Sequence, residues 1–345
     1  MKKKRNQWFF VGGTFALVTW GLLSSSHMDA FIRSLDGRSG TAYRVVQPVP
    51  DNFGASAPAT MTNMPNAEQL RSSIEEEAQK RREAPIDAKL DRVWKAIPGY
   101  NGLEIDVEAT WKRAHQEGIE KGIPYVYKEI PPQVRLEDLG AQPIYKGNPQ
   151  KRMASLMINV AWGNEFIGPM LDILEKEQVR ATFFFDGSWL SKNIDTAKTI
   201  QAKGHEMSNH AYTHKNMSKL GREDNRKEIE QTQKLLKEQL GVDNVLFAPP
   251  SGDFSDLTVK VAHELNLKTI LWTLDTVDWM KPTSDSIVRK IAARVEPGSL
   301  ILMHPTASSS GALQGMIRTI KQKGLALGTV SELISSDRVP KVEPD

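Results

Sequence analysis

The chain has 345 residues, no cysteine, and a formal net charge of +3 from 45 Lys and Arg against 42 Asp and Glu. That length accommodates one large domain with an extension, and the missing thiols exclude disulfides, thiolate metal sites and cysteine nucleophiles. A charge this mild, with no stripe of interleaved aromatic and basic residues, excludes nucleic acid as a partner.

Residues 1–30 read as an address. Lys2-Lys3-Lys4-Arg5 precedes an uncharged stretch whose apolar centre runs from Trp8 to Leu23. A basic flank before such a stretch predicts a membrane anchor or signal segment, with its positive end in the cytosol and everything after Ser26 outside the membrane. Ser24-Ser25-Ser26 supplies small residues but no Ala-x-Ala site. This favours a retained anchor on the outer face of the cytoplasmic membrane over cleavage and secretion.

Residues 31–84 follow as a tether, partly helical. From Gly37 to Asn66 the composition is Pro, Ala, Ser, Thr and Asn with little apolar periodicity, too poor to offset the entropy of ordering. Ala67 to Glu83 predicts a charged helix with too few apolar positions for a core, hence a solvated face. Residues 85–150 carry real apolar mass, including Val93, Trp94, Ile97, Tyr100, Leu103, Ile105, Val107 and Trp111. A module of about 60 residues has little core of its own, so it should pack on the main domain as an accessory subdomain. Its aromatics read as core in preference to a sugar platform.

From Met153 a regular alternation sets in. Apolar runs at 156–160, 182–185, 206–208, 245–247, 269–274, 300–303 and 326–330 are separated by helical patterns at 169–178, 194–203, 224–240, 257–266, 286–295 and 312–322. Near-continuous apolar strands alternating with amphipathic helices predict a parallel sheet covered by helices. Seven strands predict a distorted α/β barrel, (β/α)7, over residues 151–336, with 337–345 as a tail. Chemistry in such barrels gathers where the strands end. His210 follows the third strand, Pro249 the fourth, Asp275 and Asp278 the fifth, and His304 the sixth.

His210-Ala-Tyr-Thr-His214 places two imidazoles where they can grip one divalent ion, provided a third ligand completes an open site. The place for that ligand reads Asn159-Val-Ala-Trp-Gly163 and holds no carboxylate.

Five ordered motifs between Met153 and Ile334 resemble the polysaccharide deacetylases of carbohydrate esterase family 4. Ser208 to His214 is similar to the family's metal-binding His pair, and Val179-Arg-Ala-Thr-Phe-Phe184 to its second strand. Phe247-Ala-Pro-Pro-Ser-Gly252 resembles its groove-forming Arg-Pro-Pro-Tyr-Gly element, Asp275-Thr-Val-Asp-Trp279 its fourth motif, and Ile301-Leu-Met-His304 its fifth. The resemblance implies a metal-dependent hydrolase, zinc being the expected ion, that removes acetyl groups from amino-sugar glycans such as peptidoglycan. It implies His210 and His214 as metal ligands, His304 as general acid and Asp278 as the carboxylate that tunes it. The implied groove comprises Trp162, Asn209, Pro249, Pro250, Asp275, Trp279 and Met303.

Two motifs depart from the pattern. Where the family has the Asp of the general base and the Asp of the metal site, this chain has Ala161 and Trp162. Its base-positioning Arg is Ala248 here, and the aromatic of the same motif is Ser251. Ala161-Trp-Gly-Asn-Glu165 and Val93-Trp-Lys-Ala-Ile-Pro-Gly-Tyr100 resemble a sporulation-associated branch, for which the cell wall or forespore envelope is the expected setting.

Losing a base costs about 10² to 10⁴ in rate, and a site with two His alone holds zinc weakly or not at all. Glu165 is the one nearby acid that could substitute as base or ligand; the alternative is a helix-capping role. Trp162 either plugs the emptied space or stacks on a sugar. His115, His205 and His263 read as structural or solvated. Two functions follow: a deacetylase with a relocated ligand or base, or a silent relative that keeps the groove to bind glycan or an envelope partner. A monomer is expected.

Overall fold

The computed structural model describes residues 67–340. The basic and apolar N-terminal segment lies outside the described residues; within them no helix is long and apolar enough to cross a membrane.

The accessory region comprises helix α1 (Ala67–Arg81), strands β1 (Lys89–Asp91), β2 (Lys95–Ile97) and β3 (Gly102–Ile105), helix α2 (Val107–Glu117), strand β4 (Tyr127–Ile130) and a 3-10 turn at Leu136–Leu139. β1 pairs with β2, and β3 with β4, both antiparallel. The expected solvated helix is only partly so. α1 buries Leu70 and Ile74, spaced at i and i+4, against Ile105 and Ala114, so two well-placed side chains suffice to dock a helix that is otherwise charged.

The parallel sheet and its helices follow in near alternation: β5 (Met153–Val160), α3 (Asn164–Lys176), β6 (Thr182–Phe185), the short α4 (Gly187–Leu190), α5 (Ile194–Ala202), β7 (Glu206–Asn209), α6 (Arg222–Leu240), β8 (Leu246–Phe247) and α7 (Asp256–Glu264). It continues with β9 (Lys268–Thr269), β10 (Leu274–Asp275), α8 (Ser284–Arg294), β11 (Leu300–Met303), α9 (Ala307–Gln322), β12 (Ala326–Gly328) and α10 (Val330–Ile334). The sheet is parallel, in the order β10-β11-β5-β6-β7-β8-β9.

The expectation of seven equivalent staves needs correcting in two places. The fifth run, 269–274, is one chain segment divided between partners: β9 pairs with β8 and β10 with β11. This lets one segment carry the sheet round to the sixth strand. The seventh, β12, does not stand between the sixth and the first. Ser155 of β5 pairs with Leu300 on one edge and Gly328 on the other, so β11 joins β5 directly and β12 shares the β6 edge.

Alternation along β5 sorts the core into two layers. Ala154, Leu156, Ile158 and Val160 face the helices, with Phe183, Leu313 and Ile317, whereas Met153 and Met157 face the interior with Phe184, Leu300 and Leu302. The interior is therefore packed and offers no channel.

The accessory region covers the beginnings of the strands. Ile144 bridges Ile270, Lys146 bridges Ser299, and Gly147 N donates to Gly298 O (2.8 Å) just below β11. Ala96 N donates to Pro143 O (3.1 Å), which ties the β1–β2 hairpin to that wedge. The C-terminal segment returns to the same pole. Asn101 N donates to Ser336 O (2.7 Å), and Arg338 reaches Glu83 (2.6 Å), the carbonyl of Asn101 (3.0 Å) and the Tyr100 ring (5.1 Å). The opposite pole, where the strands end, stays open.

Candidate functional site at the strand ends

His210 ends the third barrel strand and is buried. Its Nδ1 lies 2.7 Å from the carbonyl of Ala248. A carbonyl only accepts, so Nδ1 carries the proton and Nε2 is left with a lone pair. Burial, the neighbouring His214 and then His304 push this imidazole down to about 3, against the pull of the Ala248 carbonyl, so the ring is neutral. The His214 ring stands edge-on to it, with centroids 5.2 Å apart.

The four-residue spacing is realised in a loop, not on a helix. Ala211 (φ 59) and His214 (φ 54) both adopt the left-handed conformation, which L-residues hold only when the surroundings over-determine it. Asn209 Oδ1 accepts from Ala211 N (2.9 Å), and Thr232 Oγ1 donates to Ala211 O (2.6 Å). Glu228, buried on α6, accepts from Tyr212 N (3.1 Å), Thr213 N (2.7 Å) and Thr213 Oγ1 (2.6 Å). Burial raises its carboxyl, yet these bonds and Lys215 hold it below the usual carboxylate range. Glu228 and Thr232 were not legible as site-builders, because nothing in a helical charge pattern says which loop the helix will face.

His304 follows β11. Its Nδ1 lies 2.8 Å from Asp278 Oδ1, and its backbone N–H donates to Asp278 Oδ2 (2.6 Å). Ser309, on α9, donates its hydroxyl to the same Oδ2. Burial alone would raise the Asp278 carboxyl; the His304 and Ser309 bonds hold it below its ordinary value. The expected Asp278–His304 pair is thus assembled, and Ser309 is a third member that no motif indicated.

Trp162 occupies the space between the two imidazole groups. Its indole stacks on His304 with centroids 5.4 Å apart and planes 13° from parallel, and meets His214 edge-on at 6.2 Å. The turn that aims it depends on Gly163, at φ 83, where a Cβ would collide with the Pro305 carbonyl. The ring keeps 45 % of its surface exposed. It therefore plugs the site from above while presenting a face to solvent.

The remaining expected residues divide. Trp279, 59 % exposed, and the half-exposed Asp275 stand at the mouth. Val277 (φ 56) and Lys281 (φ 54) bracket the turn that carries Trp279, and Asp275 Oδ1 accepts from Val277 N (2.7 Å). Asn209 is no groove residue: it is fully buried, donating to Ile229 O (2.9 Å) and Gln233 (3.0 Å) as the brace of the His loop. Met303 is likewise withdrawn into the layer beneath the helices, because strand alternation turns it away from His304. Pro249 and Pro250 are buried and shape the wall through their backbone.

Glu165 lies exposed in the first turn of α3, where its charge suits the helix N-terminus. It forms no metal-holding group with His210 and His214. Among the described residues no group of three or more His, Asp or Glu side chains is placed to hold a metal ion. The donor set does not fit a zinc site: beside the His210 and His214 imidazoles stands the Trp162 indole and no third His, Asp or Glu ligand. Of the other histidines, His205 accepts from Ala181 N (3.2 Å) through Nδ1, and His115 bonds the Trp111 carbonyl (2.9 Å), both away from the mouth. Asp186 caps α4 by accepting from Trp189 N (2.8 Å).

Residues 146–270 match the polysaccharide deacetylase family. The YlxY protein of Bacillus subtilis, of uncharacterised function, is 41 % identical over 84 % of this chain and 91 % of its own length. A peptidoglycan-N-acetylglucosamine deacetylase of Bacillus cereus is 30 % identical over 48 % of this chain and 80 % of its own. The crystal structure of BA3943, a carbohydrate esterase family 4 pseudoenzyme from Bacillus anthracis, superimposes with a TM-score of 0.72 at 40 % identity, covering 78 % of this chain and 96 % of that one. A mutant of BA3943 with restored enzymatic activity has also been crystallised, and matches with a TM-score of 0.71.

Proposed function

This chain belongs to the polysaccharide deacetylase family, carbohydrate esterase family 4, and we propose that it is a catalytically silent member that holds amino-sugar glycan of the cell wall in the inherited groove without hydrolysing it. The observation that carries this is the Trp162 indole, wedged between His304 and His214. Amide hydrolysis on this scaffold requires a polarising metal, a base for water and an acid for the departing amine. Three features support the silent reading: the Asp278–His304 hydrogen bond is made, and, by the motif likeness, Ala161 stands at the position of the base and Trp162 at that of the metal carboxylate.

What remains is suited to binding. Trp162 and Trp279 are two of the few large apolar side chains left exposed in the described chain. Exposed aromatic surface around a polar mouth is the composition of a ligand site rather than of a bare surface. The peptidoglycan deacetylase among its relatives supports amino-sugar glycan as the ligand class. A place outside the cytoplasmic membrane, held by the N-terminal segment, and a sporulation setting complete the reading; they rest on the sequence pattern of residues 1–30 and on the motif likeness of residues 161–165 and 93–100.

A second reading, an active deacetylase, draws on the retained imidazoles and acid pair. It requires an acidic side chain placed beside the His210 and His214 imidazoles as base or metal ligand, and no such group of three is formed among the described residues. The test compares the native chain with Ala161→Asp/Trp162→Asp under added zinc. The native protein should bind oligomers of N-acetylglucosamine and release no acetate, while the double variant takes up zinc and releases acetate. Acetate release by the native chain would overturn the silent reading. Absence of glycan binding would overturn the groove reading.

A further inference from the structure

The lack of a third ligand that spoils the mouth for zinc suits it to a different ion. The His210 and His214 rings stand edge-on with centroids 5.2 Å apart, a separation that one cation spans with a bond of about 2 Å to each. His210 Nδ1 is committed to the Ala248 carbonyl, which leaves Nε2 as the free nitrogen of a buried ring. Among the described residues no hydrogen bond reaches that nitrogen or either nitrogen of the half-buried His214. A polar atom withdrawn from water in this way is costly until something binds it.

Charge decides which ion. The acids that brace the two imidazole groups are already engaged. Glu228 accepts from Tyr212 N, Thr213 N and Thr213 Oγ1 and faces the Lys215 ammonium (3.3 Å), while Asp278 accepts from the His304 ring, the His304 backbone and Ser309. A divalent ion on two neutral rings would keep its whole charge in a partly desolvated place with no anion bound to it. The cost of desolvating an ion grows with the square of its charge, so a monovalent ion meets about a quarter of it.

Softness narrows the choice further. Hard cations ask for oxygen donors, whereas copper(I), a soft ion with a filled shell, binds imidazole and accepts as few as two ligands. Copper(II) prefers a square of donors, of which this mouth supplies two. The Trp162 indole stands 6.2 Å from the His214 ring, and indole is the aromatic that attracts a cation most strongly to its face. The chain has no cysteine to draw a soft ion elsewhere as thiolate. We propose that His210 and His214 form a copper(I) site with Trp162 beside it, in place of the zinc site that the family likeness implies.

The full chain is titrated without oxygen with copper(I) held by bicinchoninate, and separately with zinc. One copper(I) should be retained per chain, more tightly than zinc, and its X-ray absorption should show nitrogen neighbours and no sulfur. His214→Asn, chosen because Asn tolerates the left-handed φ of 54° at this position, should weaken retention at least a hundredfold, the upper end of what losing a mere supporting partner costs (about 10–100-fold). Trp162→Ala should weaken it about tenfold.

Sulfur neighbours to the metal would assign the copper to thioethers such as Met61 and Met64 and overturn the proposal. Retention unchanged in His214→Asn would overturn it as well. Zinc bound as tightly as copper(I) would overturn both this site and the mismatch with zinc. None of these results bears on the groove, since binding of N-acetylglucosamine oligomers is read without metal.

Discussion

Trp162 and His304 lie face to face, 5.4 Å between ring centroids, with the imidazole's Nδ1 committed to Asp278. One face of the indole is therefore occupied by protein and the other looks into the groove. Plug and platform are the same side chain.

Removing the indole separates those roles. Trp162→Ala should weaken binding of N-acetylglucosamine oligomers by about tenfold or more, the scale of one lost aromatic contact, and should not create a zinc site, since no carboxylate is added. Titration calorimetry with the glycan and with zinc reads both. Unchanged glycan affinity would leave the ring as a plug alone.

Asp278 accepts three hydrogen bonds within a fully buried setting, from the His304 ring, the His304 backbone and Ser309. Asp278→Asn replaces one acceptor by a donor and leaves at least one of these groups unpaired. The expected loss is about 2–4 kcal/mol, as for breaking a buried charged network. Urea denaturation measures it, and a loss below about 0.5 kcal/mol would contradict this account of the pair.

The Arg338 side chain links the C-terminal segment to the accessory region through Glu83, the Asn101 carbonyl and the Tyr100 ring, while its backbone N–H donates to Glu129. Arg338→Ala should cost about 1–3 kcal/mol. The effect should be local, with amide exchange accelerating in β3 and β4 and little change in β5 or β6. Uniform acceleration throughout would show that the two parts open only together.

His205 gives the fold a pH dependence independent of the mouth. Burial, with Lys203 and Arg180 nearby, lowers its imidazole to about 4 from the ordinary 6.5. The unfolded chain takes up a proton below pH 6.5, and the folded chain does so only near 4. Stability is therefore full above 6.5, falls as pH drops from 6.5 to about 4, and is flat in this contribution below that. The slope is at most about 1.4 kcal/mol per pH unit. His205→Asn, whose Oδ1 can accept from Ala181 N in place of Nδ1, should lower the slope in that window. An unchanged slope would remove His205 as its source.

Much of this was legible before any coordinates. Apolar runs at 182–185 and 300–303 coincide with β6 and β11, because a strand buried on both faces leaves an unbroken apolar record. The convergence of His210, Asp275, Asp278 and His304 followed from their places after successive parallel strands. The helix over 67–81 was underestimated because only Leu70 and Ile74 face its partner, and composition averages over the whole turn. Asn209 and Met303 sit inside site motifs yet face away from the mouth, one bracing a loop and the other packing under helices.

From residue order alone came the parallel α/β architecture, the pole at which the site lies, and the Ala161-Trp162 pair where the family resemblance implies acids, since strand and helix periods and side-chain chemistry are local properties. Only the folded chain decided that the Trp162 indole stacks on His304 and meets His214, that Glu165 joins no metal-holding group, that Glu228 and Ser309 hold the two imidazole groups, and that β12 joins the other edge of β5. Those outcomes depend on twist, register and the rotamers left free by distant neighbours, such as Pro305 against Gly163, and no local pattern encodes them.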